Sequence, residues 1–287
     1  GEGEGEVLKD LLVKLVRLLA HLAISPDVGP ELARHKGLTG LMRLLDALDM
    51  DAAEELLLNA VSALTNLSYY PSESSVIWAR RSELVGALGS MLFAENQEAV
   101  LEAARAFGNL SRDPAVREEM HQTRVDEALV LLLDASDREV LTAAAGVVVN
   151  LAADPHCAPG MVESDVMVLL ADALDRAAAG DQPLASTLCQ ALYNFGVTQK
   201  WRLGGGLALS LLRSLQMLQD TIEAEGEETE EGLDAVLTRL QHAIHLRCGE
   251  ELLEEERREQ AEHEALAAPP AHSYLEPLDP PEEEPGS

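Results

Sequence analysis

Four asparagines recur in this sequence at nearly constant spacing, each set among small and aliphatic residues. They are Asn66, Asn109, Asn150 and Asn194, and they are separated by 43, 41 and 44 residues. A side-chain amide both donates and accepts hydrogen bonds, so a row of amides on one surface can bind the backbone of an extended peptide. The same amides can instead bond to backbone groups within their own repeat and support only the fold. The sequence leaves both interpretations open.

Other residue groups that could carry chemistry are few. His242, His245 and Cys248 are spaced by three residues, but a fourth metal ligand is missing from the pattern. The glycines at 204–206 precede a predicted helix and lack the Lys-Ser/Thr of a nucleotide-binding loop, so they are interpreted as a turn. No Ser/His/Asp, Cys/His or paired-carboxylate set stands out. We therefore expect no catalytic site, no metal and no cofactor.

The charge of the chain excludes some classes of partner. The 287 residues have a formal net charge of −30, and residues 222–287 contribute 20 acidic and only 4 basic side chains. Such a balance argues against nucleic acid and anionic membrane as the main partners. No apolar run approaches the roughly 20 residues that a membrane span needs. Three widely spaced cysteines favour a reducing compartment without a disulfide framework.

The segments between the asparagines align as well, and they predict three helices per repeat. After each anchor comes a polar turn, then a short helical segment, then a longer one, and a third helix ends on the next anchor. Three helices in a repeat of about 40–47 residues is the armadillo pattern. The predicted fold class is therefore all-α, a right-handed armadillo-type α-solenoid of about six three-helix repeats, expected to be monomeric. The longer segments are predicted at 38–48, 84–93, 125–133, 166–174 and 207–218.

The repeat also predicts the organisation of the chain. His21 and His245 occupy the anchor position at the two ends, where terminal repeats must present polar outer faces, and we interpret them as capping repeats. Small residues such as Ala103, Ala106 and Ala144 are expected where helices approach closely. The predicted segments are an acidic Gly/Glu linker at 1–6, an armadillo domain at 7–249 with an acidic insertion at 222–232, a charged helix at 250–268 and a Pro/Glu-rich tail at 269–287.

The position four residues before each anchor tests one known mode of peptide binding. Nuclear-import adaptors of the armadillo fold carry a Trp there, whereas this chain has Ser62, Arg105, Gly146 and Gln190. That mode of binding is therefore not expected. Arg105 could pair with an acidic partner protein, or with Glu98 or Glu102 on its own helix. The candidate binding residues on this surface are Asn66, Arg105, Asn109, Asn150, Gln190 and Asn194.

Taken together, these motifs resemble one particular family. Residues 65–70, 102–113, 144–151 and 192–195, with the tail piece 272–278, are similar to the armadillo repeat-containing protein 2 family of motile cilia and sperm flagella. The resemblance implies a non-catalytic adaptor in the cytoplasm and cilium that links radial-spoke subunits to intraflagellar transport. Two alternatives keep the fold: a stably incorporated structural or docking subunit of the axoneme, and a general armadillo scaffold in the cytoplasm.

Overall fold

The chain folds into a series of α-helices. The structure, a computed structural model, describes residues 2–47, 50–72, 75–162, 165–198, 201, 203–225 and 232–267. Over these residues it contains helices and no strand. In chain order the helices are α1 (Glu2–Ala23), α2 (Gly29–Ala33), α3 (Thr39–Ala47), α4 (Met50–Ser68), α5 (Val76–Ala79), α6 (Arg81–Met91), α7 (Gln97–Leu110), α8 (Pro114–Gln122), α9 (Val125–Leu131), α10 (Arg138–Ala152), α11 (Ala158–Val162), α12 (Val166–Ala177), α13 (Gln182–Thr198), α14 (Gly205–Glu225) and α15 (Leu233–Ala267).

The helices group into four complete three-helix units. The units are α2–α4, α5–α7, α8–α10 and α11–α13, and each third helix ends just after its anchor asparagine. In the described residues α1 precedes them as a single third helix, and α14 and α15 follow them as a pair. The described residues thus form four complete three-helix units, with one helix before them and two helices after them at the places of the predicted end repeats.

Side-chain caps fix where the third helices begin. Asn96 accepts hydrogen bonds from the backbone N–H groups of Glu98 and Ala99 and so caps α7. Asp137 does the same for Glu139 and Val140 at the start of α10. A side-chain oxygen at this position satisfies N–H groups that have no partner inside the helix. The second and third helices are therefore separated at defined residues, and each unit keeps the same internal layout.

The core runs through the whole stack of units. The third helices pack in chain order, α1 on α4, α4 on α7, α7 on α10, α10 on α13 and α13 on α15. Ala103 and Ala144 are fully buried at these contacts, and Ala106 is nearly so. Such small side chains allow close approach, as the sequence predicted. Larger side chains, among them Phe107 and Phe195, fill the space between layers and are also fully buried.

Several predicted boundaries move when they are placed on the structure. Residues 2–6, predicted as a linker, lie within α1. α15 is kinked at Cys248, where the backbone angles are non-helical, so the charged helix predicted at 250–268 begins close to a break between two helical segments. Of the acidic insertion, residues 222–225 belong to the end of α14, where Ile222 is buried. Residues 226–231 of the insertion and the tail at 269–287 lie outside the described residues.

Two further features bear on the class of protein. No helix in the described part of the chain is both long and apolar enough to cross a membrane. All three cysteines are buried and none forms a disulfide. Burial raises the pKa of the Cys157 thiol to about 11 and that of Cys189 to about 12, so both thiols are protonated at neutral pH.

Candidate protein-binding face

The third helices together form one continuous surface, which we call the third-helix face. It consists of the solvent-exposed sides of α1, α4, α7, α10 and α13. All four anchor asparagines lie on it at equivalent places and are partly buried. So do the residues four positions earlier, of which Arg105 is exposed and Ser62, Gly146 and Gln190 are partly buried. The structure therefore brings the six predicted binding residues onto one surface.

Each anchor asparagine bonds to the preceding unit. The acceptor is always the carbonyl oxygen one residue before the anchor of the preceding third helix. Asn109 also donates to Ser68 Oγ at 3.1 Å, and Asn150 to Ser111 Oγ at 2.9 Å. The carbonyl bonds are Asn66 Nδ2 to Ala20 O at 3.0 Å, Asn109 Nδ2 to Thr65 O at 3.0 Å, Asn150 Nδ2 to Gly108 O at 3.3 Å and Asn194 Nδ2 to Val149 O at 2.9 Å.

The position of these acceptors explains the bonds. The last four carbonyl groups of an α-helix have no partner within the helix. Thr65 lies in the last four residues of α4, and Gly108 lies in the last four residues of α7. The asparagine amide thus acts as a C-terminal cap supplied by the next unit. These bonds support the interpretation that the asparagines stabilise the fold. That interpretation assumed bonds within one repeat, whereas the structure has bonds between neighbouring units.

The two histidine anchors at the ends behave differently. His21 and His245 are exposed, and each Nδ1 hydrogen-bonds to a carbonyl oxygen of its own helix. The partners are Arg17 at 2.7 Å and Gln241 at 2.8 Å. Neither ring takes the place of the asparagine amide as a bond between units, which is consistent with their interpretation as end positions.

Arg105 forms a salt bridge within its own helix and another to the next unit. Its guanidinium lies 3.0 Å from Glu102 and 2.8 Å from Glu139 on α10. The predicted pairing with Glu102 is confirmed, and the alternative partner Glu98 does not take part in it. Arg17, at the same repeat position in α1, pairs with Glu55 of the next third helix at 2.6 Å.

These pairs involve a row of acidic residues that the sequence reasoning missed, eleven positions before the anchors at 21, 66, 109 and 150; before Asn194 that position is Pro183. The row consists of Asp10, Glu55, Glu98 and Glu139. Glu55 and Glu139 pair with arginines of the preceding third helix, and Asp10 pairs with Lys14. Opposite Glu98 the preceding helix has Ser62, and among the described residues no salt bridge involves Glu98. The signal was present in the sequence as an acidic residue at the same offset from four successive anchors.

A second set of ion pairs links units on another side. Asp113 and Asp154 both stand four residues after an anchor, in the polar turn. Asp113 pairs with Arg81 at 2.9 Å, and Asp154 pairs with Arg117 at 2.6 Å, with side chains only 9% and 15% exposed. Burial acts to raise the pKa of Asp154, but hydrogen bonds from the His156 backbone N–H and from Arg117 outweigh it and place the pKa below its usual 3.8.

One histidine–carboxylate pair lies at a cavity of about 280 Å³ between α8, α9 and α11. His121 Nδ1 is 2.8 Å from the Asp126 carboxylate, which is buried. The hydrogen bond to Asp126 raises the pKa of His121. The lining residues include no Ser or Cys that could act as a nucleophile beside this pair. Its geometry is that of a pair connecting two helices.

The remaining predicted chemical groups are dispersed or structural. His242 and His245 are exposed, whereas Cys248 is buried against the backbone N–H of Leu203. In the part of the chain that the structure describes, no three His, Cys, Asp or Glu side chains are placed to hold a metal ion. Gly205 begins α14 against the backbone of Glu251, where a side chain would collide. Gly205 is thus explained by a close helix contact, whereas a Cβ atom added at Gly204 would meet nothing within 4 Å.

Comparisons with known proteins agree with this architecture. No family model matches the chain. Over 188 residues, 65% of the chain, it is 37% identical to armadillo repeat-containing protein 2 of Bos taurus, Homo sapiens and Mus musculus. The chain spans only 22% of the length of these relatives.

Solved structures give the same fold. A designed armadillo repeat protein superposes with a TM-score of 0.62 at 19% identity, covering 81% of this chain and 92% of the other. A designed armadillo repeat protein in complex with the peptide (KR)4 superposes with a TM-score of 0.58 at 18% identity, covering 80% and 91%. The predicted all-α armadillo fold is confirmed. The chain therefore has the armadillo-repeat fold, and the relatives that it resembles in sequence are named armadillo repeat-containing protein 2.

Proposed function

We propose that the chain is a protein-binding scaffold that binds an extended segment of a partner protein along the third-helix face. The observation that carries this proposal is that Glu98 forms no salt bridge among the described residues. It is exposed on the face, it belongs to a row whose other members are paired, and the residue opposite it is Ser62 instead of an arginine. A basic side chain of a partner would complete the row at this place.

The asparagines contribute to such binding mainly through their carbonyl oxygens. Each Nδ2 group already donates to the preceding unit, which leaves Oδ1 as the atom that can accept a hydrogen bond from a partner's N–H group. In the fourth unit Gln190 Nε2 already donates to Asn194 Oδ1 at 2.9 Å. Binding through the amides is therefore proposed for Asn66, Asn109 and Asn150. Arg105 can bind an acidic group of a partner only if its salt bridge to Glu139 breaks.

The face also has an open position on α10. In the next unit Gly146 lies partly exposed in the middle of α10, and a Cβ atom added there would meet nothing within 4 Å. Glycine is unfavourable inside a helix because it loses more conformational freedom on folding. A partner backbone that approaches closely at this place would account for it.

The biological setting that we propose follows from the family resemblance. The relatives share the name armadillo repeat-containing protein 2, and that family is associated with motile cilia and sperm flagella. On this basis the scaffold is an adaptor, in the cytoplasm and cilium, between radial-spoke cargo and intraflagellar transport. Its partners would be proteins, with no role for nucleic acid, membrane or catalysis.

An affinity experiment from flagellar extract tests both parts of this proposal. The chain, the variant Glu98→Lys and the control Glu95→Lys are used as baits; Glu95 is exposed in the turn after α6 and gives the same change of charge. The chain and the control should recover radial-spoke or transport-train proteins, and Glu98→Lys should recover several-fold less. Recovery of neither protein class would contradict the ciliary assignment, whereas equal recovery by all three baits would contradict the proposed face.

Salt extraction of isolated axonemes distinguishes the proposed adaptor from the alternative, a stable axonemal subunit. An adaptor that travels with cargo should be scarce in mature axonemes, and the remainder should wash out with salt because exposed ion pairs are screened. Retention in stoichiometric amounts after a high-salt wash would indicate the structural subunit instead.

A further inference from the structure

The second helix of the third unit, α9, buries a carboxylate where the other complete units bury an apolar side chain. The position lies 24 residues before the anchor. The other three units have Met42, Val85 and Leu170 there, and none of them is more than 3% exposed. In α9 the residue is Asp126, which is also 3% exposed. Burying a carboxylate costs free energy even when it is paired, so packing alone favours an apolar residue at this place.

Asp126 has two hydrogen-bond partners within the chain. Its Oδ2 lies 2.8 Å from His121 Nδ1, and its Oδ1 accepts a bond of 2.9 Å from the backbone N–H of Glu127. An ionised carboxylate offers about four acceptor sites. Asp126 therefore keeps capacity for a further donor, and it lines the cavity of about 280 Å³ beside His121.

The same helix exposes an apolar side chain where its neighbours expose polar ones. Nineteen residues before the anchor, the second and fourth units have Ser90 and Asp175, both exposed. The third unit has Leu131 there, and it is 67% exposed. Leu131 lines the same cavity as Asp126. The two exceptions to the repeat pattern on α9 thus meet at one place.

The cavity combines apolar side chains with carboxylates. It lies between α9 and the first two helices of the next unit, α11 and α12. Its apolar members are Val130, Leu131, Met161 and Leu169, and its carboxylates are Asp126, Glu127 and Asp165. Pockets for drug-sized ligands measure roughly 300–1,000 Å³, so a cavity of this size suits a single long side chain.

The helices around the cavity are strongly acidic. Residues 114–131 and 158–177 contain eight Asp or Glu and three Arg. Each arginine is already in an ion pair, Arg117 with Asp154, Arg124 with Glu127 and Arg176 with Asp134. The side chain of Asp165 does not cap α12, and it takes part in no salt bridge among the described residues. The charge of this region therefore favours a cationic occupant.

We propose that the cavity between α9 and the helices α11 and α12 binds the side chain of one arginine or lysine of a separate protein. Such side chains bury an apolar stem while their charged end reaches polar groups. The stem lies against Leu131 and Leu169, and the charged end donates to Asp126. The cavity is lined by second helices and their neighbours, away from the third-helix face, so it does not depend on the function proposed above.

Other occupants fit less well. An apolar side chain would remove water from Asp126 without offering it a donor, which costs free energy. A metal ion lacks ligands, because in the described part of the chain no three His, Cys, Asp or Glu side chains are placed to hold one. A free small cation and a basic side chain of a second copy share the proposed chemistry, and the test separates both from a partner protein.

The test records methyl NMR spectra of the chain labelled with ¹³C at its methionine methyl groups. The chain has seven methionines, of which Met161 lines the cavity and Met217 lies exposed on α14. The variants Met161→Leu and Met217→Leu assign the two signals. The probe is the peptide acetyl-Gly-Arg-Gly-amide, and the same peptide with norleucine in place of arginine keeps an apolar stem without the charge. The pH is 8, because the hydrogen bond to Asp126 raises the pKa of His121 and a protonated ring competes for the carboxylate.

The arginine peptide should shift the Met161 signal saturably, with the roughly millimolar affinity expected of so small a probe, and leave Met217 unchanged. The norleucine peptide should bind at least fivefold more weakly. Asp126→Asn should weaken binding of the arginine peptide at least fivefold, and Leu131→Gln at least threefold. The matched control Leu246→Gln, at a position 75% exposed on α15, should bind as the unchanged chain does. Circular dichroism checks that each variant is folded, and the exposed position of Leu131 keeps the test decisive if Asp126→Asn is not.

Four results would overturn the proposal. The first is no saturable shift of Met161, or binding that Leu131→Gln or a folded Asp126→Asn leaves unchanged. The second is equal binding of the norleucine peptide, since the cavity would then take an apolar side chain. The third is binding of butylguanidinium without binding of the arginine peptide, since the occupant would then be a free small cation. The fourth is concentration-dependent dimerisation, seen by sedimentation, that Leu131→Gln abolishes, since the occupant would then be a second copy.

Discussion

The bond between units at Asn109 predicts a definite loss of stability for Asn109→Ala. The Asn109 amide donates to Thr65 O at 3.0 Å and to Ser68 Oγ at 3.1 Å, and both acceptor residues are buried. A neutral hydrogen bond contributes about 0.5–1.5 kcal/mol net, and a buried group left without a partner adds to the loss. Thr65 O keeps a bond from Ser68 Oγ at 2.7 Å, which limits that addition. We expect a loss of about 2 kcal/mol.

A matched control separates this bond from the change in helix propensity. Asn59 lies on α4, and its amide donates to Glu55 O of its own helix at 2.7 Å, while its Oδ1 accepts only a long, exposed hydrogen bond of 3.4 Å from Arg17 of α1. Asn59→Ala makes the same chemical change and should alter the free energy of unfolding by less than about 0.5 kcal/mol. The difference between the two variants measures the bond between the units.

Urea denaturation followed by circular dichroism is the assay. Equal slopes against urea show that the variants unfold over the same surface, which matters because repeat arrays can lose cooperativity. Ser68→Ala combined with Asn109→Ala should cost less than the sum of the single changes, because the two side chains share a bond. A difference between Asn109→Ala and Asn59→Ala below about 0.5 kcal/mol, with additive behaviour in the double variant, would refute the capping role.

Three further predictions concern ion pairs and the open glycine. Asp154→Ala leaves the largely buried Arg117 without its anion and should cost about 3 kcal/mol in urea denaturation; a loss below about 1 kcal/mol would show that the pair is dispensable. Because the pKa of His121 is raised above 6.5 by Asp126, the pair stabilises the fold fully below pH 6.5 and loses that contribution as pH rises through the folded pKa. The urea midpoint should therefore fall from pH 6 to 8, and His121→Gln should flatten that slope; an identical slope would contradict this. Gly146→Ala should raise stability by about 0.5–1 kcal/mol because nothing surrounds the added methyl group, and a loss in the same assay would show that the site is closed.

The repeat period predicted the architecture because it reports which residues are equivalent. The four anchor asparagines all occur near the ends of third helices, as expected. The period does not report what an equivalent residue touches across the unit boundary. That is why the pair of Arg105 with Glu139 of the next unit was not foreseen, and why the bonds from the asparagines to the preceding unit were not foreseen either. Those contacts depend on the stacking of units, which has no signature in local spacing.

The ends of the array were the least predictable part. His21 and His245 occupy the anchor register, but neither forms the bond that defines an anchor. That bond depends on the neighbouring unit, whereas periodicity describes only the helix itself.

The central claim, that a protein partner binds the third-helix face, is tested most directly by site-specific photocrosslinking in a ciliated cell. The photoreactive p-benzoylphenylalanine is placed at Ser62, opposite Glu98, or at Phe93, which is 75% exposed beyond the end of α6. The account predicts a crosslinked protein from position 62 that is absent from position 93 and is lost with Glu98→Lys. A partner crosslinked only from position 93, or none from position 62, would contradict it.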